Sequence, residues 1–257
     1  ICRHLMQLAE ENGLGQTAMA GWLLTTWGEV LAEVNSLDDA TDKARKGVEL
    51  TESGQDVALP VLGWSYLGLV RVLFSRGDMA GAWETVQKME NMARESHVPS
   101  WITNQIAAWK GRIWLGQGKL GALSQWVRER GLDVYGEPAF LHEMEYVVLA
   151  RILMAKGRLD EGIRLLRRML KAAETGGRTP RVIEILMLEA LALEARRDTT
   201  RAMVTLVNAL TLAEPEGFVR IFVDEGPPLA KLLEKNLDAK GHVPRAYVKK
   251  LLSAFRL

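Results

Sequence analysis

Asn35-Ser36-Leu37-Asp38-Asp39-Ala40 returns in varied form four more times along the chain. The other copies are Gly77-Asp78-Met79-Ala80-Gly81-Ala82, Gly118-Lys119-Leu120-Gly121-Ala122, Gly157-Arg158-Leu159-Asp160-Glu161-Gly162 and Arg197-Asp198-Thr199-Thr200-Arg201-Ala202. Each reads as a tight polar turn that leads into a new helix. Their first residues stand at 35, 77, 118, 157 and 197, giving spacings of 42, 41, 39 and 40 residues. A period of that size is the mark of a repeat array.

Working outward from each turn, the apolar residues recur at helical spacing on both sides. The helices before the turns (A) are predicted at 17–33, 60–75, 101–116, 139–156 and 180–196. Those after them (B) are predicted at 37–52, 79–95, 120–130, 159–174 and 199–213. Seven residues before the turns stand Gly28, Val70, Gly111, Ala150 and Ala190; five after them stand Ala40, Ala82, Leu123, Gly162 and Ala202. Small side chains at these two places let paired helices approach closely. Tetratricopeptide repeats need small residues at the same two positions, and the chain resembles them, with a period nearer 40 than about 34 residues. The family's large aromatic in helix A is matched by Tyr66 and Tyr146 and replaced by Leu24, Ala107 and Leu186. The expected fold is all-α: a right-handed α-solenoid of about five helical hairpins.

Composition agrees with a folded chain. Of 257 residues, 48% are hydrophobic and 25% charged, too apolar for wholesale disorder. The 33 basic and 32 acidic residues balance to a net +1, which argues against a surface built for nucleic acid or anionic lipid. One cysteine, Cys2, excludes an internal disulfide and fits a reducing compartment. No apolar run approaches the roughly 18 residues that a membrane span needs. The start, Ile1-Cys2-Arg3-His4, has neither a signal-peptide layout nor an initiator methionine, so a piece of a longer cytoplasmic protein is expected.

A narrower resemblance begins at Leu149. The segments LARILMAKGRLDEGIRLLRRMLKAAETGGRTPRVIEILMLEALALEARRD and RAMVTLVNALTLAEPEGFVRIFVDEGPPLAKLL resemble the repeat domain of the large ATP-dependent LuxR-type transcriptional activators, the group that includes the maltose-regulon activator. Ala213–Arg220 and Phe222–Gly226 carry most of that likeness. The resemblance implies a nucleotide-binding module before the repeats and a helix-turn-helix after them. It implies that this stretch receives an inducer and restrains or releases self-assembly. Neither flanking module is visible in the sequence. The nearest approach to a phosphate loop, Gly116-Gln117-Gly118-Lys119, has Leu120 where a hydroxyl should hold Mg²⁺.

Other motifs dissolve on inspection. Gly13-Leu14-Gly15-Gln16-Thr17-Ala18 has dinucleotide-fingerprint spacing, but residues 5–12 read as helix where that chemistry needs a strand. His142-Glu143-Met144-Glu145-Tyr146 has Tyr146 where a zinc helix needs its second histidine. The run Arg164–Lys171 reads as the solvated face of a B helix with its leucines turned inward.

The expected ligand surface follows from tetratricopeptide geometry, in which the second and ninth positions of helix A face the concave groove. The second position holds Trp22, Trp64, Gln105, Met144 and Glu184; the ninth holds Glu29, Arg71, Arg112, Arg151 and Leu191. Stacked guanidinium groups repel unless partnered. Three arginines in one column therefore point to an anionic ligand, to partner carboxylates, or to internal ion pairs with residues such as Glu29 or Glu145. Tryptophan beside arginine also suits sugars, nucleotides or aromatic effectors. Trp27 and Trp114 read instead as fillers of hairpin interfaces. The groove residues expected to bind are Trp22, Glu29, Trp64, Arg71, Gln105, Arg112, Met144 and Arg151.

No nucleophile–base pair or metal cluster is found, so a non-catalytic domain without cofactor is expected. Repeats are assigned to 1–217 and capping helices to 218–257, with Leu251 and Leu252 on the inner side of an end helix over 241–257. The partners expected are a small effector in the groove and the two flanking modules, with no direct nucleic-acid or membrane contact. The rival expectation is a scaffold gripping a peptide or helix of another protein.

Overall fold

All five turn residues adopt the left-handed backbone that ends a helix: Asn35 (φ 71°), Gly77 (84°), Gly118 (67°), Gly157 (72°) and Arg197 (68°). Each donates its N–H back to the carbonyl three residues earlier, and the next residue donates five back, as in Asp78 to Leu73 and Asp198 to Leu193. This paired closure satisfies the last carbonyls of the finished helix. The following helix starts at once, with Asp78 and Asp198 accepting from the N–H groups of Gly81 and Arg201. The sequence recurrence is therefore one local motif written five times.

The computed structural model describes residues 1–54, 58–136, 138–238 and 244–255. Among the described residues the chain is all-α, a series of tetratricopeptide-like hairpins. It divides into two compact units, Ile1–Lys119 and Leu120–Leu257. This division falls at the third turn, which the sequence makes look like the other four.

Unit 1 holds α1 (Cys2–Glu11), α2 (Ala18–Glu33), α3 (Leu37–Ser53), α4 (Leu59–Arg76), α5 (Met79–Glu95) and α6 (Ser100–Gly116). Each B helix packs against its own A helix and the next one, while α2, α4 and α6 lie side by side. Small residues set the spacing. A methyl group on Gly28 would lie 2.8 Å from the carbonyl oxygen of Ala40, the very pair of positions that the repeat singles out. A second close crossing joins Gly21 on α2 to Gly47 on α3. Between α3 and α4, the buried hydroxyls of Thr51 and Ser65 meet at 3.0 Å.

Unit 2 holds α7 (Leu120–Glu129), α8 (Glu143–Ala155), α9 (Leu159–Thr175), α10 (Thr179–Ala195), α11 (Thr199–Ala213), α12 (Arg220–Val223), α13 (Pro227–Asp238) and α14 (Arg245–Ala254). The expected helix over 139–156 is shorter than its sequence suggests. Ala139, after Pro138, is still extended, and Phe140–His142 form a single 3-10 turn before α8 begins. Helix α9 buries Ile163, Leu165, Leu166 and Met169 and exposes Arg164, Arg167 and Lys171, as its sequence predicts. Helix α10 is buried on several sides because helices pack around it. In α14, Leu251 and Leu252 face inward, and the Tyr247 hydroxyl donates to the Phe218 carbonyl. Part of the expected end helix, at 241–243 and 256–257, lies outside the described residues.

Arg197 holds its left-handed conformation without the freedom of glycine. Arg197→Gly should therefore raise stability in urea unfolding by roughly 0.5–1 kcal/mol, the relief of Cβ strain exceeding the added chain entropy. A loss of stability would contradict the backbone assignment.

Candidate functional site

The predicted groove column is built, in unit 1, from one face each of α2, α4 and α6. Seven residues separate Trp22 from Glu29, Trp64 from Arg71 and Gln105 from Arg112, so each pair shares a face two turns apart. Trp22 is 37% exposed and Trp64 44%, unusual for the bulkiest apolar side chain. Trp64 leans on Trp101, with ring centroids 4.7 Å apart. Met19 and Val30 on α2 and Val34 at its C-terminal cap are exposed as well.

At the ninth position the arginines are engaged within the protein. Arg71 bonds Glu33 at 2.6 Å and stands 3.9 Å from Glu29. Arg112 lies over the Phe74 ring, 5.0 Å from its centroid. Two carboxylates thus share Arg71, and Glu29 is the poorer served: it carries no hydrogen bond among the described residues. Burial pushes the Glu29 carboxyl above its ordinary range, and Arg71 only partly opposes the rise. Gly68 leaves the space it occupies, since a methyl group there would come within 3.3 Å of the Glu29 carboxyl.

A raised folded-state pKa means that ionising Glu29 opposes folding. Its contribution favours the folded state fully below the ordinary carboxylate pKa and is lost as pH rises through the elevated value. Glu29→Gln should therefore flatten the pH profile of stability in that window and leave unit 1 at least as stable at neutral pH. Thermal melts of the two proteins across the acid range read this directly. A Glu29→Gln protein that is less stable at neutral pH would show that the carboxylate is well compensated.

In unit 2 the second and ninth positions of α8 hold Met144, half-buried, and Arg151. The structure withdraws Arg151 from any open surface: it is 7% exposed and lies between Glu184 at 2.8 Å and Glu225 at 2.6 Å. Burial works against its charge, but Glu225 and Glu184 outweigh burial and hold the guanidinium more firmly protonated than usual. Glu184 also takes Arg181, which reaches Glu143 at 3.1 Å, and Glu143 takes Arg178 at 2.9 Å. The result is a chain of alternating charges, Arg178–Glu143–Arg181–Glu184–Arg151–Glu225, linking α8, α10 and the turn before α13. Glu145, fully buried, is held by Arg130 and His142, each at 2.5 Å. It does not serve the arginine column.

Sequence reasoning placed Glu184 in the second-position column and Arg151 in the ninth without joining them, because their bond depends on how two hairpins stack. Glu33 was findable, four residues after Glu29 on the same face of α2. Glu225 lies 74 residues from Arg151, and no local signal connects them. The remaining motifs are structural. Gly13 (φ 72°) turns the chain between helices α1 and α2, and Gly118 belongs to the third repeat turn. Trp27 lies under Lys43, and Trp114 pairs with Trp83 at 6.0 Å.

The family model described as the MalT-like TPR region matches residues 1–239. The chain belongs to the MalT-like tetratricopeptide-repeat family. Among relatives, the HTH-type transcriptional regulator MalT of Yersinia pestis (strain Pestoides F) is 29% identical over 233 residues, covering 89% of this chain. MalT of Yersinia enterocolitica serotype O:8 is 28% identical over 232 residues, again covering 89%. The chain spans about a quarter of the length of these relatives (25%). The family match extends through both compact units and includes Phe222–Gly226. Phe222 is fully buried, Gly226 turns with φ 74°, and Glu225 closes the buried ion-pair chain. No helix among the described residues is long and apolar enough to cross a membrane.

Proposed function

We propose that this MalT-like repeat region is the effector-sensing and protein-interaction domain of a bacterial LuxR-type transcriptional regulator, with a small inducer held on the open face of α2, α4 and α6. The relatives' description as transcriptional regulators supports the regulatory setting. The observation that carries ligand binding is the exposure of Trp22 and Trp64, the latter stacked on Trp101, beside an incompletely partnered Glu29. Stacking surfaces near a charged group suit sugars, nucleotides or aromatic metabolites. Arg71, Arg112 and Gln105 border the same face. Arg151 contributes by keeping unit 2 rigid, its charge being satisfied inside. Binding would favour one arrangement of the hairpins and so bias contacts with nucleotide-binding and helix-turn-helix modules of a longer protein, in the cytoplasm.

Isothermal titration and tryptophan emission with panels of these three ligand classes test the reading. Binding is expected to change the emission and to weaken about tenfold or more in Trp64→Ala, the loss of one stacking face. A second reading has its own support: the exposed side chains of Met19, Trp22, Val30 and Val34 suit a peptide or helix of a partner. No heat with any small molecule, together with tight binding of a partner segment that Trp22→Ala abolishes, would replace the sensor by the scaffold.

A further inference from the structure

The position five residues before each turn sets the first A helix apart from the other four. Val30, Val72, Ile113, Ile152 and Ala192 stand there. The last four are at most 2% exposed, whereas Val30 is 51% exposed. The position nine before the turn repeats the contrast. Gly68, Trp109, Val148 and Leu188 are buried, and Thr26 is only half-buried.

Unit 1 shows what covers these positions. A methyl group on Gly68 of α4 would lie 2.5 Å from the Thr25 methyl carbon of α2, the preceding A helix. Ser65, twelve before its turn, meets Thr51 of α3, the preceding B helix. The same two positions on α2 are Thr26 and Leu23. Leu23 finds its B helix: it packs on the cluster of Met6, Ala20 and Leu24, and Met6 belongs to α1. The joint agrees. Gly13 after α1 and Gly177 after α9 are both left-handed and donate to the carbonyl three residues back, while Leu14 and Arg178 donate five back. Helix α1 is thus a B helix by its packing and by its joint. What Thr26 and Val30 lack is the A helix that goes with it.

The surface left open is largely apolar on both helices. Met19, Leu23, Thr26 and Val30 follow one another at helical spacing along one side of α2. On α1, Ile1, Leu5 and Leu8 do the same and are exposed, while Arg3, Gln7, Glu10 and Glu11 stand on the other side. A repeat that terminates a solenoid carries a polar outer face. This outer face has the opposite character. We propose that it seats an amphipathic helix of the same protein, from residues ahead of Ile1, packed as the A helix of a hairpin whose B helix is α1. Continuity with the packing inside unit 1 selects that occupant, because at this register the cover is a helix of the hairpin before. The effector reading does not rest on this row, since Trp22 and Glu29 occupy the neighbouring side of α2.

The test compares hydrogen exchange in the 257-residue chain with that in the longer protein carrying the residues before Ile1. The amides of α1 should exchange about tenfold or more slowly in the longer protein, where the added helix covers them. Val30→Lys should leave the melting temperature of the 257-residue chain unchanged, because Val30 there already meets solvent. In the longer protein the same change places a charge under the added helix and should return α1 to its faster exchange. Equal exchange of α1 in the two unsubstituted proteins would overturn the proposal, as would slow exchange that Val30→Lys does not disturb. A 257-residue chain that sediments as a dimer, and as a monomer once Val30→Lys is made, would overturn it in favour of a second copy. Effector binding is read separately, through Trp64→Ala.

Discussion

Gly47→Ala is expected to destabilise unit 1 by about 3 kcal/mol, at the top of the range for overpacking in a close-packed interior. The added methyl carbon would lie 2.6 Å from the Gly21 carbonyl oxygen, 2.7 Å from the Thr25 backbone nitrogen and 2.3 Å from the Thr25 hydroxyl. Two of these are backbone atoms of α2, so no side-chain rotation relieves the overlap; the helices must separate. Separation would also draw apart Gly28 and Ala40, the next close crossing along the same hairpin. Intrinsic helix preference acts the other way, since alanine is favoured over glycine by roughly 1 kcal/mol in a helix interior. The packing term is the larger, and the sign of the result decides which dominates. Gly162→Ala supplies the control. A methyl group there finds its nearest neighbours at 3.6–3.7 Å, ordinary contact, so that variant should gain up to about 1 kcal/mol. Denaturant unfolding of both variants is the measurement. Equal stability of Gly47→Ala and the parent would show that α2 and α3 do not touch backbone to backbone.

Arg151→Met should be the more damaging change in unit 2. It leaves Glu225 without the bonds that Arg151 supplies and removes one of the two arginines serving Glu184. Stripping one partner from a buried ion pair costs about 3–5 kcal/mol, chiefly because the surviving charge stays desolvated. The loss should not be uniform. Hydrogen exchange should accelerate most over 220–230, where Glu225 anchors the turn between α12 and α13 to α8. Arg151→Lys should recover only part of the stability, because a single ammonium cannot make the forked contact to two carboxylates. Pairing Arg151→Met with Glu225→Gln should lose less than the sum of the two single changes, the sign of direct coupling. Strict additivity would mean that the two side chains do not interact in solution.

These two sites divide between what could and could not be read from the sequence. The turns at 35, 77, 118, 157 and 197 were legible because a helix end is closed by hydrogen bonds spanning only a few residues. The residues that close it, glycine or asparagine followed by a polar residue (Ser36, Asp78, Lys119 or Arg158), stand next to one another in the chain. Arg197 was legible only through its place in the series. Helix positions followed closely for the same reason, and the exception at 139–142 arose where Pro138 delays the helix. The family likeness at Phe222–Gly226 was visible as a string of letters without any indication that Glu225 meets Arg151.

Partners were the part that stayed hidden. The arginine column at 71, 112 and 151 reads identically along the sequence, yet its members have three different fates: shared by two glutamates, laid on a phenylalanine ring, and buried in a charge chain. Which fate each meets depends on the stagger between helices tens of residues apart, and a shift of one residue there would rotate a side chain by about 100°. The division after Lys119 and the exposure of Trp64 against the burial of Trp109 and Trp126 belong to the same class. Local hydrogen bonding wrote the helices and their joints into the sequence, whereas charge pairing and solvent exposure were settled only when the hairpins stacked, because both are properties of surfaces that exist only once distant helices are in contact.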